Sequence, residues 1–152
     1  NIRNRFVSHF GVKVQNPRKT SKNSLRGILF QWLKRRSSND RVDLAYYLNA
    51  IDSNFNGFNM ARVISINREP CAVSAGWKIP NTDCFYCGIG LSNYSHKDLW
   101  DFSNLNDLIY LKKCGYNYVD LGGSDRALLH AKGKFRPAKI YKTYVFSVAR
   151  RK

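Results

Sequence analysis

Tyr118-Val119-Asp120-Leu121-Gly122-Gly123-Ser124-Asp125, followed by Lys132-Gly133-Lys134-Phe135-Arg136-Pro137, is the stretch on which the reading of this chain turns. A β-rich run ends in an acid and two glycines. Ser124 or Asp125 then offers a helix N-cap. Lys132, Lys134 and Arg136 follow closely. This order sets a tight turn, a helix N-terminus and a group of cations near one another. Such a setting suits an anionic substrate, or the oxyanion formed in acyl transfer.

Upstream, residues 98–114 place Leu99, Phe102, Leu105, Leu108 and Ile109 on one helical face, with Gly115 as the stop. Residues 84–91 read as a strand. Residues 61–66 and 71–79 read as a hairpin across Asn67-Arg68-Glu69-Pro70. Residues 44–51 form a short helix. Ser24 is the expected N-cap of the clearest amphipathic helix, with Leu25, Ile28, Leu29, Trp32 and Leu33 on its apolar side. Lys34-Arg35-Arg36 closes it, with the charge sign that the helix dipole favours. Ile2, Phe6, Val7 and Phe10 have helical spacing ended by Gly11, and residues 12–15 alternate as a short strand does. Downstream, a short helix reaches about His130, and residues 140–148 supply a last strand. The order predicts an α/β (α+β) fold with a mixed, mainly antiparallel central sheet and helices on both faces. The length fits a single domain over 1–152.

Net charge is +16 and unevenly spread. Residues 1–41 hold 11 Lys/Arg against one acid, residues 42–125 hold 6 against 9, and residues 126–152 hold 9 against none. Two basic ends therefore flank a slightly acidic middle. That distribution points to a polyanionic partner, a nucleic acid or an anionic membrane surface touched peripherally. No run of 18 apolar residues is long enough to span a bilayer. Residue 1 is Asn, which fits a processed chain or part of a longer protein. Cys84-Phe85-Tyr86-Cys87 has a metal or redox spacing, but in a strand residues three apart face opposite ways. Cys71 and Cys114 stand apart from this pair, so no metal site is expected. Four small buried thiols fit a reducing compartment, and the expected location is cytoplasmic.

Asp120-Leu121-Gly122-Gly123-Ser124 and Lys132-x-Lys134-Phe135-x-Pro137 resemble the Fem-type (FemABX) branch of the GNAT acyltransferase fold and the related aminoacyl-phosphatidylglycerol synthase domain. In that branch a strand ends in an Asp and small residues before Phe-Lys-x-x-Phe; here Ala131 stands where Phe precedes the lysine. Arg3-Asn4-Arg5, Gly11-Val12 and the helix containing Trp32 resemble the opening of these domains. Fem-type enzymes usually carry two such domains, and this chain is one. The resemblance implies transfer of an aminoacyl group from aminoacyl-tRNA to a small-molecule or peptide amine, or to a hydroxyl, by direct attack. Ordinary GNAT enzymes use acetyl-CoA, gripped by a Gln/Arg-x-x-Gly-x-Gly/Ala loop. The corresponding Leu91-Ser92-Asn93-Tyr94-Ser95-His96-Lys97-Asp98 has no glycine. Backbone amides need that freedom to close on a pyrophosphate. An acetyl-CoA-dependent N-acetyltransferase is the alternative, and a non-catalytic RNA-binding domain a third reading.

Carried over from the family, Lys132 is the candidate catalytic cation that steadies the ester carbonyl or a tRNA phosphate. Asp120 is a candidate base or orienting group for the attacking amine. An acid before Gly-Gly also satisfies turn amides. Gly122, Gly123 and Ser124 would shape the substrate turn. Lys134, Arg136 and Lys139 would hold phosphates, together with Arg3, Arg5, Lys34, Arg35 and Arg36. His96 is placed to touch substrate from the loop after the third strand of the run. Trp77, Tyr86, Tyr94 and Trp100 are expected as core or cleft walls.

Overall fold

A computed structural model describes residues 2–36, 43–123 and 126–142 of the 152. Along the chain come α1 (Ile2–His9), β1 (Val12–Gln15), one 3-10 turn (Pro17–Lys19), α2 (Lys22–Leu33) and α3 (Leu44–Asp52). Then follow β2 (Met60–Ile66), β3 (Glu69–Lys78), β4 (Cys84–Ser92), α4 (Leu99–Lys113), β5 (Tyr118–Asp120) and α5 (Arg126–Gly133). The chain divides into two units, Asn1–Asp120 and Leu121–Lys152.

In the first unit the five strands stand in chain order, β1 to β5. The first three pairings are antiparallel and β4–β5 is parallel, so the sheet is mixed as expected. Alternation along the strands sends Val63, Val73, Ile89 and Leu91 to one face, where α2 contributes Leu25, Ile28, Leu29 and Trp32 and α3 contributes Ala50 and Ile51. Ile64, Ile66, Cys71 and Ala72 face the other way, onto Phe6 of α1 and Leu99 and Phe102 of α4. Full burial of each such side chain contributes about 1.5–3 kcal/mol. Helices thus cover both faces.

Local chemistry explains where the elements begin and end. The β2–β3 turn is two residues long, with Asn67 at φ 50° and Arg68 at φ 75°. That left-handed pair matches the twist of a hairpin, and Asn tolerates it. Gly11 N–H donates to Asn67 Oδ1 at 3.2 Å, and Asn67 N–H to the Gly11 carbonyl at 2.9 Å, which ties the hairpin tip to the start of β1. The cap of α2 is Ser21 rather than the expected Ser24: Ser21 Oγ accepts from Ser24 N–H at 3.1 Å. Lys22-Asn23-Ser24 already forms the first helical turn. The helix ends at Leu33, with Lys34 as C-cap.

The face that α4 buries also differs from the expected one. Leu99, Phe102 and Leu111 are buried together with Asp101, Ser103 and Asp107, while Leu105, Leu108 and Ile109 are only half-buried. Asp107 Oδ1 accepts from Arg62 Nη1 of β2 at 2.7 Å. Asn106 Oδ1 accepts from Arg62 Nη2 at 2.6 Å, and the guanidinium lies 4.5 Å from the Tyr110 ring centre. Burial pushes the Asp107 carboxyl above its ordinary range, against the pull of Ser74 and Arg62. This polar clamp, absent from the sequence reading, fixes α4 to the sheet.

In the second unit, α5 runs past the expected end near His130 to Gly133, so Lys132 lies in its last turn. Ser124 and Asp125, the expected caps, lie outside the described residues, as do residues 143–148 of the expected last strand. Residues 140–142 are not in a strand.

Candidate functional site

The last pairing of the sheet is short. β4 and β5 pair only through Cys84↔Tyr118, Phe85↔Val119 and Tyr86↔Asp120. Of the β-rich run before the two glycines, β5 takes only Tyr118–Asp120. β4 runs on to Ser92, paired among the described strands with β3 alone. The register with β3 slips at the same level: Gly76 faces Cys87 but Ala75 faces Ile89, leaving Gly88 as an extra residue. A bulge of this kind bends its strand and increases the twist. Two glycines permit it. A Cβ on Gly76 would meet the Tyr86 carbonyl oxygen at 2.2 Å, and one on Gly88 would meet the Trp77 indole at 2.6 Å. β4 thus bends where β5 stops.

Parallel register puts Tyr86 and Asp120 side by side on one face. Cys84 shares that face. Burial raises its thiol pKa, and the negative charge of Asp120 raises it further. The Tyr86 hydroxyl is raised by burial first and then by Asp120. Phe85 and Cys87 point the other way, into an apolar cluster with Met60 and Leu111. The two cysteines of the expected metal-like pair therefore lie on opposite faces of β4.

The connection from β4 to α4 is a polar turn held by its own side chains. Tyr94 N–H donates to Ser92 Oγ at 3.2 Å, and Ser95 N–H to Asn93 Oδ1 at 3.0 Å. Two main-chain amides of this turn thus already have acceptors. Tyr94 and Asp98 sit at φ 56° and 62° without being glycine. Asp98 is the N-cap residue of α4 and Asp101 lies in its first turn, both of the sign that repels an anion. His96 packs edge-on against Phe10 at 4.9 Å and shares a 2.8 Å hydrogen bond between Nδ1 and Ser95 Oγ. It joins the turn to α1.

Of the phosphate-binding candidates in the first unit, Arg3 and Arg5 ride on α1, and Arg3 is exposed. Lys34 and Arg35 are exposed at the end of α2, and Arg36 is half-buried. The Arg35 guanidinium lies 6.0 Å from the Tyr94 ring centre, which brings the basic end of α2 to the β4–α4 turn. Arg36 lies 4.7 Å from the Trp32 ring centre.

In the second unit, Lys132 Nζ donates to the Leu121 carbonyl, to the Gly122 carbonyl at 3.1 Å and to the Gly123 carbonyl at 3.4 Å. An ammonium has three donors. Lys132 thus closes its own helix back onto the turn after Asp120, and Gly122 at φ 73° gives that turn its shape. Lys134, Arg136 and Lys139 are exposed, Arg136 at φ 51°. Among the described residues no helix is long and apolar enough to cross a membrane.

No protein-family model matches the sequence, and no curated protein matches it significantly. Solved structures do match in fold. An aminoglycoside acetyltransferase from an uncultured soil metagenomic sample, solved with sisomicin, superposes with a TM-score of 0.65 over 95% of this chain and 99% of that one, at 10% identity. A ribosomal-protein-alanine N-acetyltransferase from Brucella melitensis gives 0.61 over 92% and 99%, also at 10% identity. The aminoacyl-phosphatidylglycerol synthase L-PGS from Bacillus licheniformis gives 0.60 at 18% identity, over 80% of this chain and 37% of that one. With its mixed five-stranded sheet, its bulged β4 and helices on both faces, the chain has the GNAT fold.

Proposed function

We propose that the protein is an acyltransferase that moves an aminoacyl group from aminoacyl-tRNA to an amine or hydroxyl acceptor by direct attack. The observation that carries this reading is the end of the β4–β5 pairing at Tyr86 and Asp120, from which β4 runs on to Ser92 beside a carboxylate, paired among the described strands with β3 alone. The acceptor nitrogen attacks the ester carbonyl carbon, a tetrahedral oxyanion forms, and the bond to the tRNA ribose oxygen breaks. The proton lost by the amine leaves through Asp120 and returns to that oxygen. The family resemblance assigns Lys132 to the oxyanion or a terminal phosphate. Its three donors already have carbonyl acceptors, so it would meet either by giving up one of them. The glycine-free β4–α4 turn, with its amides engaged and Asp98 and Asp101 at the helix start, supports a donor other than CoA. The basic segments 1–41 and 126–152 support a polyanionic donor.

Amide formation from charged tRNA with a panel of amines tests this reading. Lys132→Ala should lower turnover about 100- to 1,000-fold. Equal turnover by the variant and the parent would remove Lys132 from the reaction.

A second reading keeps acetyl-CoA as donor. It is favoured by similar structures such as an aminoglycoside N-acetyltransferase solved in complex with CoA. A thermal shift with acetyl-CoA, together with transfer to amines, would establish it in place of the first. RNA binding that falls steeply with salt and brings no transfer would leave a binding domain alone.

A further inference from the structure

Trp77, Tyr86 and Asp120 stand directly opposite one another on three neighbouring strands, in the register Trp77↔Tyr86 and Tyr86↔Asp120. They form a single cross-strand row on one face. The Trp77 and Tyr86 rings lie 5.0 Å apart, and Phe58 extends the row, its ring 5.6 Å from that of Trp77. The bulge glycine Gly88 leaves room under the indole, which a side chain there would displace. From α3, Tyr46 and Tyr47, their rings 5.3 Å apart, pack against the same core layer as Phe58, and Tyr86 acts electrostatically on both hydroxyls. Asp43 and Arg36 flank Tyr47.

These rings are not sealed: Tyr46, Tyr47 and Phe58 pack at the margin of the core. Phe85, one residue from Tyr86, is 1% exposed, whereas Phe58, Trp77, Tyr86, Tyr46 and Tyr47 are all half-buried. The row ends in a carboxylate at the last residue of β5. Aromatic faces beside a carboxylate are the surroundings that an organic ammonium prefers: the rings attract the cation and cover its apolar carbon, and the carboxylate pairs with its charge. The segment that supplies most of the row, residues 42–125, is also the part of this basic chain with an excess of acids.

We infer that the row Trp77–Tyr86–Asp120, walled by Tyr46, Tyr47 and Phe58, is an acceptor site selective for a primary organic ammonium, its carbon stem on the rings and its head at Asp120. The inference rests on the acyl-transfer reading and narrows it to cationic acceptors.

The test needs no donor. The full chain is titrated with cadaverine and with 1,5-pentanediol, of equal length without charge, by calorimetry and tryptophan fluorescence. Cadaverine should bind and the diol should bind at least about tenfold more weakly. Asp120→Asn should weaken cadaverine by about tenfold and leave the diol unchanged. Trp77→Leu should weaken cadaverine about threefold or more. Circular dichroism confirms that each variant is folded, and Tyr86→Leu serves if Trp77→Leu is not. Equal affinity for amine and diol, no binding of cadaverine by the folded parent at about 20 mM, or an unchanged Asp120→Asn would overturn the site. If cadaverine binds but is acylated by neither charged tRNA nor acetyl-CoA, the acyl-transfer reading fails and the site stands. Acyl transfer by the parent to neutral hydroxyl acceptors, with no calorimetric binding of cadaverine, gives the opposite result.

Discussion

The two faces of β4 differ in what lies against them. On one, Phe85 and Cys87 meet Met60 and Leu111 in a closed apolar layer under α4. On the other, Tyr86 lies between Trp77 and Asp120 with its ring half-exposed. The side chains that do these two jobs alternate along one strand. The difference teaches that the strand divides its residues between stability and recognition by parity alone, and a one-residue slip would exchange them.

The largest expected effect breaks the closed face. Phe85→Ala should destabilise the fold by about 3–5 kcal/mol, read as a lowered denaturant midpoint. Tyr86→Phe keeps the ring and should leave that midpoint within about 1 kcal/mol. Similar losses from both would show that the second face is core after all. Next comes the bulge. Gly88→Ala should cost about 1–3 kcal/mol, because its methyl group meets the indole of Trp77, and tryptophan fluorescence should shift with it. An unshifted spectrum would mean that the indole does not rest there. The smallest effect sharpens the comparison by chemistry. Burial and Asp120 both raise the pKa of Cys84, so at a given pH it holds less thiolate, and the thiolate is the reactive form. At pH 8 a disulfide reagent should modify exposed Cys114 before Cys84, and Asp120→Asn should speed up Cys84. Faster labelling of Cys84 than of Cys114 would contradict the placement of Asp120.

Much of this architecture could be read from the sequence, because its hydrophobic periods are clear. The spacing Leu25, Ile28, Leu29, Trp32 could belong only to a helix with one buried side, and that side is buried. The limits of such reading are equally physical. Ser21 and Ser24 are both good caps, and only the hydrogen bond between them decides which one begins the helix. Asp107 reads as a solvent-facing residue of α4 until Arg62, 45 positions away, is seen to meet it. Of the candidate site, Asp120 and Lys132 were legible as a motif. The three carbonyls that hold Lys132 were not, since glycine and leucine main chain leaves no trace in residue type. Nor was the row beside Asp120, which depends on the register of strands more than thirty residues apart. The bulge was hidden because Gly88-Ile89-Gly90 does not say which glycine lies outside the ladder.

The strand order β1 to β5 has a kinetic consequence. β2, β3 and β4 are joined by short turns, so their pairings close small loops and can form early. β5 joins in parallel only after the whole of α4 has crossed back over the sheet, a longer closure than either of these turns. Asp120 therefore reaches Tyr86 late in folding. Pulse-labelled amide exchange during refolding should protect β2 and β3 before β5, and simultaneous protection would rule this order out.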